Sequence, residues 1–257
     1  MELLVFVIGC GIGVISGALG IGGGIVLAPL LLYLPPLFGF GALDMRAVSG
    51  LTMVQSIVTG LTGMALHRQA RHVHGRLALI MGVTLAAAAF AGALASGLVS
   101  SHSLLALFAA LAFAAGFLML LPNAAADTET AASMVTFNSP LAVGLGAGVG
   151  FVGGMIGQSG AFLLNPALLW FLRIPTRVTI GTSLAIISCG AIAGTIGKVL
   201  AGQIALAPAL ALCAGAALGA VAGSSLSELL PTRALRLALS VLVLVAALKM
   251  TADFFRG

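Results

Sequence analysis

The sequence predicts an all-α polytopic membrane protein. It is expected to consist of two homologous four-segment halves, arranged as inverted repeats, each opening with a Gly-rich re-entrant or broken helix hairpin. Three observations lead there. Of the 257 residues, 61% are hydrophobic and 7% charged, too few charges to solvate the surface of a soluble protein of this size. The charges are spaced so that uncharged stretches of about 20 residues or more follow one another, the length a helix needs to cross ~30 Å of hydrocarbon. One Gly/Pro pattern also occurs twice. This composition excludes a cytosolic enzyme, a nucleic-acid binder and a disordered chain. The net charge of +5 is read as loop charge that sets topology.

Eight segments follow in order. They are A 3–34, B 46–66, C 76–99, D 103–121, A′ 140–172, B′ 177–200, C′ 204–227 and D′ 232–251. Polar gaps at 67–76, 122–139 and 228–233 fix that count, and a Ser-Ser-His-Ser turn at 100–103 divides C from D. The domain reading is a first transmembrane repeat over 1–121, a polar linker over 122–139 and a second repeat over 140–257. Cys10, Cys189 and Cys213 all lie in apolar stretches without CxxC spacing, so they read as small hydrophobes. The N-terminal run continues through Cys10 without a basic region ahead of it. It therefore reads as the start of segment A and not as a cleaved signal.

The repeat is explicit. Gly13, Gly17, Gly20, Gly23 and Pro29 recur as Gly150, Gly154, Gly157, Gly160 and Pro166 at a constant offset of 137. Arg46 and Gly50 recur as Arg177 and Gly181 at an offset of 131, where Gly63 meets Gly194 and His67 meets Lys198.

Segments A and A′ are too long for one straight crossing. Thirty-two helical residues would span about 48 Å. Each has a glycine cluster near its middle, Gly20 with Gly22, Gly23 and Gly24, and Gly157 with Gly160 around Gln158-Ser159. Glycine is costly inside a helix and permits tight turns. Two half-helices joined by a bend are therefore expected, with Pro29 and Pro166 in the returning arms. Irregular backbone at membrane depth survives only when buried or lining a cavity, and such bends are where transporters hold substrate. Gly13, Gly17, Gly150 and Gly154 read instead as helix-packing positions.

Charge distinguishes two layouts. With re-entrant A and A′ the halves are inverted. Arg68, Arg71, Arg76, Arg173, Arg177, Arg233 and Arg236 then share the cytoplasmic side, leaving four basic residues outside. With single crossings the division is six against five. The inverted layout fits the positive-inside bias better.

Around the bends, Thr52, Gln55, Gln158, Ser159, Asn165, Thr182 and Ser183 offer hydroxyl and amide donors. Each taken alone could equally be an interhelical hydrogen bond. With the glycines, they form a candidate site for a compact anion, aided by the positive dipole ends of the returning half-helices. No Asp or Glu lies deep in a segment, which disfavours a carboxylate proton relay or a cation site. Arg46, Arg177 and Lys198 sit at segment ends, where they either line a vestibule or snorkel to the interface. His67, His72 and His74 have no helical ligand spacing and adjoin arginines, so neither metal nor cofactor is expected.

At this point the residues resemble a family. Gly17-x2-Gly20-x-Gly22-Gly23-Gly24-x4-Pro29-x-Leu31, its degenerate copy from Gly157 to Pro166, and the Arg-x3-Gly-Thr-Ser-Leu element at 177–184 resemble the sulfite exporter TauE/SafE family of bacterial membrane permeases. The resemblance covers nearly the whole chain. It implies a multi-pass protein of the bacterial inner membrane that moves a small sulfur-containing anion such as sulfite, a sulfonate or sulfoacetate. The expected partners are that anion and the lipid bilayer, with no nucleic acid. Two departures make the halves chemically unequal. Gln158-Ser159-Gly160-Ala161 stands where the first copy has Ile21-Gly22-Gly23-Gly24, and Gly50-Leu51-Thr52 stands where the second has Gly181-Thr182-Ser183. A non-transporting membrane scaffold and a cation or metal permease stay open as alternatives from the residues alone.

The inverted layout has a direct check. Topology reporters fused at Arg71 and Gly202 should give opposite signals, and equal signals would restore the parallel layout.

Overall fold

The computed structural model describes residues 1–19, 24–69, 73–120 and 137–226, with 244, 248, 249, 251 and 252 near the C-terminus. The described residues form helices and connecting turns. In chain order these are α1 (Glu2–Leu19), α2 (Gly24–Leu37), α3 (Met45–Gln69), α4 (Gly75–Ala95), α5 (Ser101–Leu120), α6 (Ser139–Ile156), α7 (Ala161–Pro166), a π-helical turn (Ala167–Phe171), α8 (Thr176–Leu200) and α9 (Leu206–Leu226). By length and apolarity, 75–95, 139–156, 181–200 and 206–223 can each cross a membrane. Segment A′ is broken at 157–160, as its glycine cluster predicts; in segment A, residues 20–23 between α1 and α2 lie outside the described residues. Most of the 122–139 linker and of segment D′ lies outside the described residues.

Local chemistry explains where the helices start. Asp44 accepts from Ala47 N at 2.8 Å, His74 Nδ1 from Leu77 N at 3.1 Å, Ser100 Oγ from Ser103 N at 3.0 Å and Asn138 Oδ1 from Leu141 N at 3.1 Å. Each bond satisfies an amide that the first helical turn leaves free. Elsewhere proline disturbs regularity. Pro166 ends α7, and the chain widens into the π turn, with Leu172 N donating to Ala167 O and Ile174 N to Leu168 O.

Equivalent helices have equal lengths. α1 and α6 have 18 residues each, α3 and α8 have 25, and α4 and α9 have 21. Their contacts are reciprocal. Along α1, a Cβ at Gly9 or Gly13 would strike the backbone of α9 at Leu212 or Ala216, and along α6 one at Gly150 or Gly154 would strike that of α4 at Leu85 or Ala89. α9 answers with Gly215, Gly219 and Gly223 against Phe6, Cys10 and Val14. The first helix of each half thus lies alongside the fourth of the other, and in both pairs the residue numbers rise together.

The central pair, α3 and α8, runs the other way. Ser49 meets Lys198, Met53 meets Gly194, and Gly60 meets Ser188. Two cores result. One joins α1, α2, α3, α5 and α9 around Ile12, Leu27, Leu51 and Phe108, and the other joins α4, α6, α7 and α8 around Met81, Leu85, Leu168 and Ile186. The polarity is opposite to that of a water-soluble protein. Leu3, Leu79, Leu98 and Leu200 face outward, while Ser49, Thr52, Gln55, Gln158 and Lys198 are buried.

These contacts predict opposite effects for two neighbouring glycines. Gly13→Ala forces a methyl against Ala220 N, 2.8 Å away, whereas the same methyl on Gly11 meets nothing within 4 Å. Overpacking at Gly13 should cost about 1–3 kcal/mol. Gly11→Ala should gain up to about 1 kcal/mol of helix propensity. Thermal unfolding of the two purified variants in one detergent would read the difference.

Candidate functional site

The break between α6 and α7 has unusual backbone. Gly157 has φ 81°, Ser159 48° and Gly160 70°. Gly157 closes α6 in the left-handed region, and its N–H and that of Gln158 both donate to Gly153 O. The chain then folds back so tightly that a Cβ on Gly153 would overlap Gly160 N. Glycine at 160 has a second reason, since its Cβ would strike Val149. Ser159 holds a left-handed conformation without being glycine, a strain of order 1–3 kcal/mol that surrounding contacts must hold in place.

Those contacts come from α2, α3 and α8. Thr52 Oγ1 donates to Gly157 O at 2.8 Å, and Gly157 Cα lies against the Ser49 backbone. Ser159 Oγ lies 3.1 Å from Met53 Sδ. Gln158 Nε2 donates 2.8 Å to the carbonyl of Gly24, the residue that opens α2 in the other half. The two expected bends therefore touch, through a side chain that only the second half possesses. Gly20, Gly22 and Gly23 lie outside the described residues.

α8 serves as a ruler for depth. Ser159 Cβ lies beside Gly190, at the middle of α8. Thr182 is eight residues toward one end and Lys198 eight toward the other, about 12 Å each way. The bend is thus at mid-depth. Thr182 is not part of it: its hydroxyl accepts from His74 N at 3.0 Å and fastens the turn before α4. At that same end His74 meets Phe137 edge-on, and Phe137, Asn138, Phe171, Leu172 and Arg173 surround an open recess of about 280 Å³. Ser183 is buried within α8.

The elements that meet at the bend carry carboxamide atoms without partners. Gln55 Nε2 and Oε1, Gln158 Oε1 and Asn165 Oδ1 are buried and have no hydrogen-bond partner among the described residues. Leaving such a group unsatisfied costs about 1–3 kcal/mol. Native interiors seldom tolerate several without a ligand or ordered water to meet them.

At the far end of α8 the structure departs from simple snorkelling. Lys198 is fully buried. Its Nζ lies 2.8 Å from Ser49 Oγ, 2.7 Å from Ser96 Oγ, 2.8 Å from Gln203 Oε1 and 3.0 Å from Met155 O, so three N–H groups are shared among four acceptors. All four acceptors are neutral. Arg46, half-buried, donates from Nε and Nη2 to Val99 O on the turn just beyond Ser96. A lysine at the centre of a membrane helix costs about 3 kcal/mol on insertion scales, so a buried one toward the end still needs a reason. Sequence reading singles out Lys198 and Arg46 but not Ser49, Ser96 or Gln203. The last two become legible only when the 96–99 and 201–205 turns are seen to converge. The Arg177 side chain lies outside the described residues.

The model of the family described as sulfite exporter TauE/SafE matches residues 5–250. The chain belongs to the sulfite exporter TauE/SafE family. Its relatives include the probable membrane transporter protein YunE of Bacillus subtilis, 24% identical over 95% of this chain and 94% of that protein. A probable membrane transporter protein of Xylella fastidiosa strain Temecula1 is 33% identical over 72% of this chain and 69% of its own. The probable membrane transporter protein YdhB of Bacillus subtilis is 24% identical over 92% and 95%. No solved structure matches the chain. Membership of this family makes the chain a multi-pass protein of a membrane transporter family, in keeping with its apolar helices and inside-out polarity.

The bend geometry is testable without substrate. Thr52→Val removes the bond to Gly157 O at nearly constant volume and should cost about 1–2 kcal/mol in thermal unfolding. Gly160→Val, blocked by both φ and Val149, should cost more. Equal stability of Gly160→Val and the parent would mean that the bend is not held as described.

Proposed function

We propose that this TauE/SafE-family protein carries a small sulfur-containing anion, of the sulfite, sulfonate or sulfoacetate type, across the bacterial inner membrane by alternating access. The substrate binds at mid-depth, between the bends of the two halves. Gln55, Gln158, Ser159 and Asn165 with the backbone of Gly24, Gly157 and Gly160 form its walls. Gly20, Gly22, Gly23, Thr52 and Ser183 support the same reading from the sequence, while Thr182 fastens the turn before α4. Arg46, Arg177 and Lys198 supply positive potential at the approaches.

The observation that carries the reading is a set of orphaned buried carboxamides: Gln158 in the strained 157–160 break itself, Asn165 on the α7 that follows it, and Gln55 one turn beyond the Thr52 that bonds it. Gln55 can donate to an anion from Nε2. The orphaned oxygens suit a ligand that brings a proton or part of its hydration with it. The surrounding groups are hydroxyls, amides and a thioether, and no described carboxylate among them supplies the charge that divalent-cation sites ordinarily use. Among the described residues, no carboxylate competes for the positive ends of nearby N–H dipoles.

The inverted arrangement belongs to the same proposal. The opposed course of α3 and α8, the equal lengths of paired helices and the reciprocal glycine contacts support two halves related by an axis in the membrane plane. Exchanging their roles would open the central site to one face and then the other.

Proteoliposomes loaded with sulfite, methanesulfonate, sulfoacetate or chloride test this. Saturable flux of a sulfur oxyanion is expected. Gln55→Leu and Gln158→Ala should each lower it at least about tenfold, the size of one lost hydrogen bond in the site. Asp44→Asn should leave most of it, because Asp44 caps α3. Flux of a cation in place of every anion would overturn the proposal.

A further inference from the structure

We propose that Lys198, Gln203 and Arg46 form a second oxyanion-binding site, separate from the mid-depth bend, where the transported anion pauses at the α8 C-terminal end of the bundle. This rests on the anion-transport reading above.

The first observation is an uncompensated charge. Lys198 has four acceptors within 3.0 Å, namely two hydroxyls, a carboxamide and a backbone carbonyl, and none carries a formal negative charge. The nearest cation by connectivity is Arg46. Its own carbonyl accepts from Ser49 Oγ, the hydroxyl that Lys198 donates to. Its guanidinium holds Val99 O, three residues past Ser96, Lys198's other hydroxyl partner. Two positive groups therefore flank one junction of α3, the 96–99 turn and the 201–205 turn. Buried charges are ordinarily paired, and here no pairing partner comes from the groups that hold Lys198.

The second observation identifies the point of entry. The ammonium fixes how the Gln203 carboxamide lies, because only its oxygen can accept from Lys198. Its Nε2 is then a buried donor with no partner among the described residues, on a side chain only 8% exposed. That nitrogen faces Gly97, a partly exposed turn residue, whose Cβ would lie 3.8 Å from it. The absent side chain at 97 leaves the donor approachable from the end of the bundle. An oxyanion arriving there meets the Gln203 N–H first. It then displaces Gln203 Oε1 from the ammonium, exchanging a neutral acceptor for a charged one. The remaining guanidinium N–H groups of Arg46 are available to the same anion, since only two of its nitrogens are engaged by Val99. A carboxamide that leaves with its oxygen and offers its nitrogen suits a ligand with several acceptor oxygens, such as sulfite or a sulfonate, better than a halide.

Substitution of Gln203 supplies the test. Gln203→Glu gives Lys198 an internal counter-ion of the same shape, and Gly97→Val covers the approach, its Cβ coming to 3.3 Å from the Leu94 carbonyl, a contact that a shift of a few tenths of an ångström relieves. Sulfite, methanesulfonate and chloride are titrated into the purified full-length protein, and thermal unfolding reports binding. Each variant is prepared alone and with Gln158→Ala, which disables the mid-depth site. Gln158→Ala alone should keep a residual shift with sulfite, and adding Gln203→Glu or Gly97→Val should raise the apparent Kd of that residual step at least about tenfold. Gln203→Glu should also raise the melting temperature without ligand. If both double variants keep the residual step unchanged, or if Gln158→Ala alone removes all response, Lys198 only fastens helices and the second site is wrong. If the parent responds to no anion, the transport reading falls and this site falls with it.

Discussion

Lipid attracts an apolar helix as strongly as another apolar helix does, so the hydrophobic effect cannot hold this bundle together once its helices are in the membrane. Close backbone approach takes its place. α1 and α9 touch along glycines from both helices, and α6 and α4 do so chiefly through glycines of α6. A side chain at these positions would separate the axes and lose the dispersion contacts that the approach creates. Both pairs join helices from different halves. Neither half can therefore satisfy its own packing stripe, and the two halves stabilise each other.

That packing delivers the site. With α1 tied to α9 and α6 to α4, the bend after α6 is driven against α3 at Ser49 and Thr52 and against the start of α2 at Gly24. Non-helical backbone there would leave several carbonyls and amides unsatisfied in hydrocarbon. Thr52 and Gln158 take one carbonyl each, and Gly153 O takes two amides. The same side chains that make the break tolerable bring the orphaned carboxamides to mid-depth. Stability and ligand chemistry are thus met by one set of residues.

Much of the fold is legible from two periodicities. Uncharged stretches mark the helices, and the constant offsets of 137 and 131 foretell that α1 matches α6 while α3 matches α8, residue for residue in length. The break in A′ follows from glycine alone. The unequal return arms do not. α2 runs for 14 residues through Pro29, whereas α7 stops at Pro166 after six and gives way to a π turn. The short α7 has little dipole to aim, so the second half relies on side-chain amides where the sequence suggested backbone amides. Thr182 illustrates another limit. Its place in a Gly-Thr-Ser element suggests a ligand, but its hydroxyl is used by the His74 turn eight residues from the bend. Lys198 illustrates a third. A basic residue three positions from a helix end reads as an interface anchor, and only the meeting of two loops distant in sequence encloses it.

The departures from symmetry carry a thermodynamic consequence. On the proposed exchange of halves, a true two-fold would make the inward-open and outward-open states mirror one another and cost the same. Gln158 and Ser159 stand where the first copy has Ile21 and Gly22, and Lys198 stands where the first half has His67. Each pair places different chemistry at equivalent sites, so the two states cannot be equal in energy. The bond from Gln158 to Gly24 O and the four bonds of Lys198 exist in the state described here. The exchanged state must replace them with whatever Ile21 and His67 supply. A buried lysine amine held only by neutral acceptors is the largest of these inequalities. Closing that end over a buried ammonium is tolerable only with all four acceptors in place, and opening it gives back the hydration that burial removed. On the proposed anion transport, the cargo alters that balance by offering charge in place of water, and the unequal halves make the resting state depend on it.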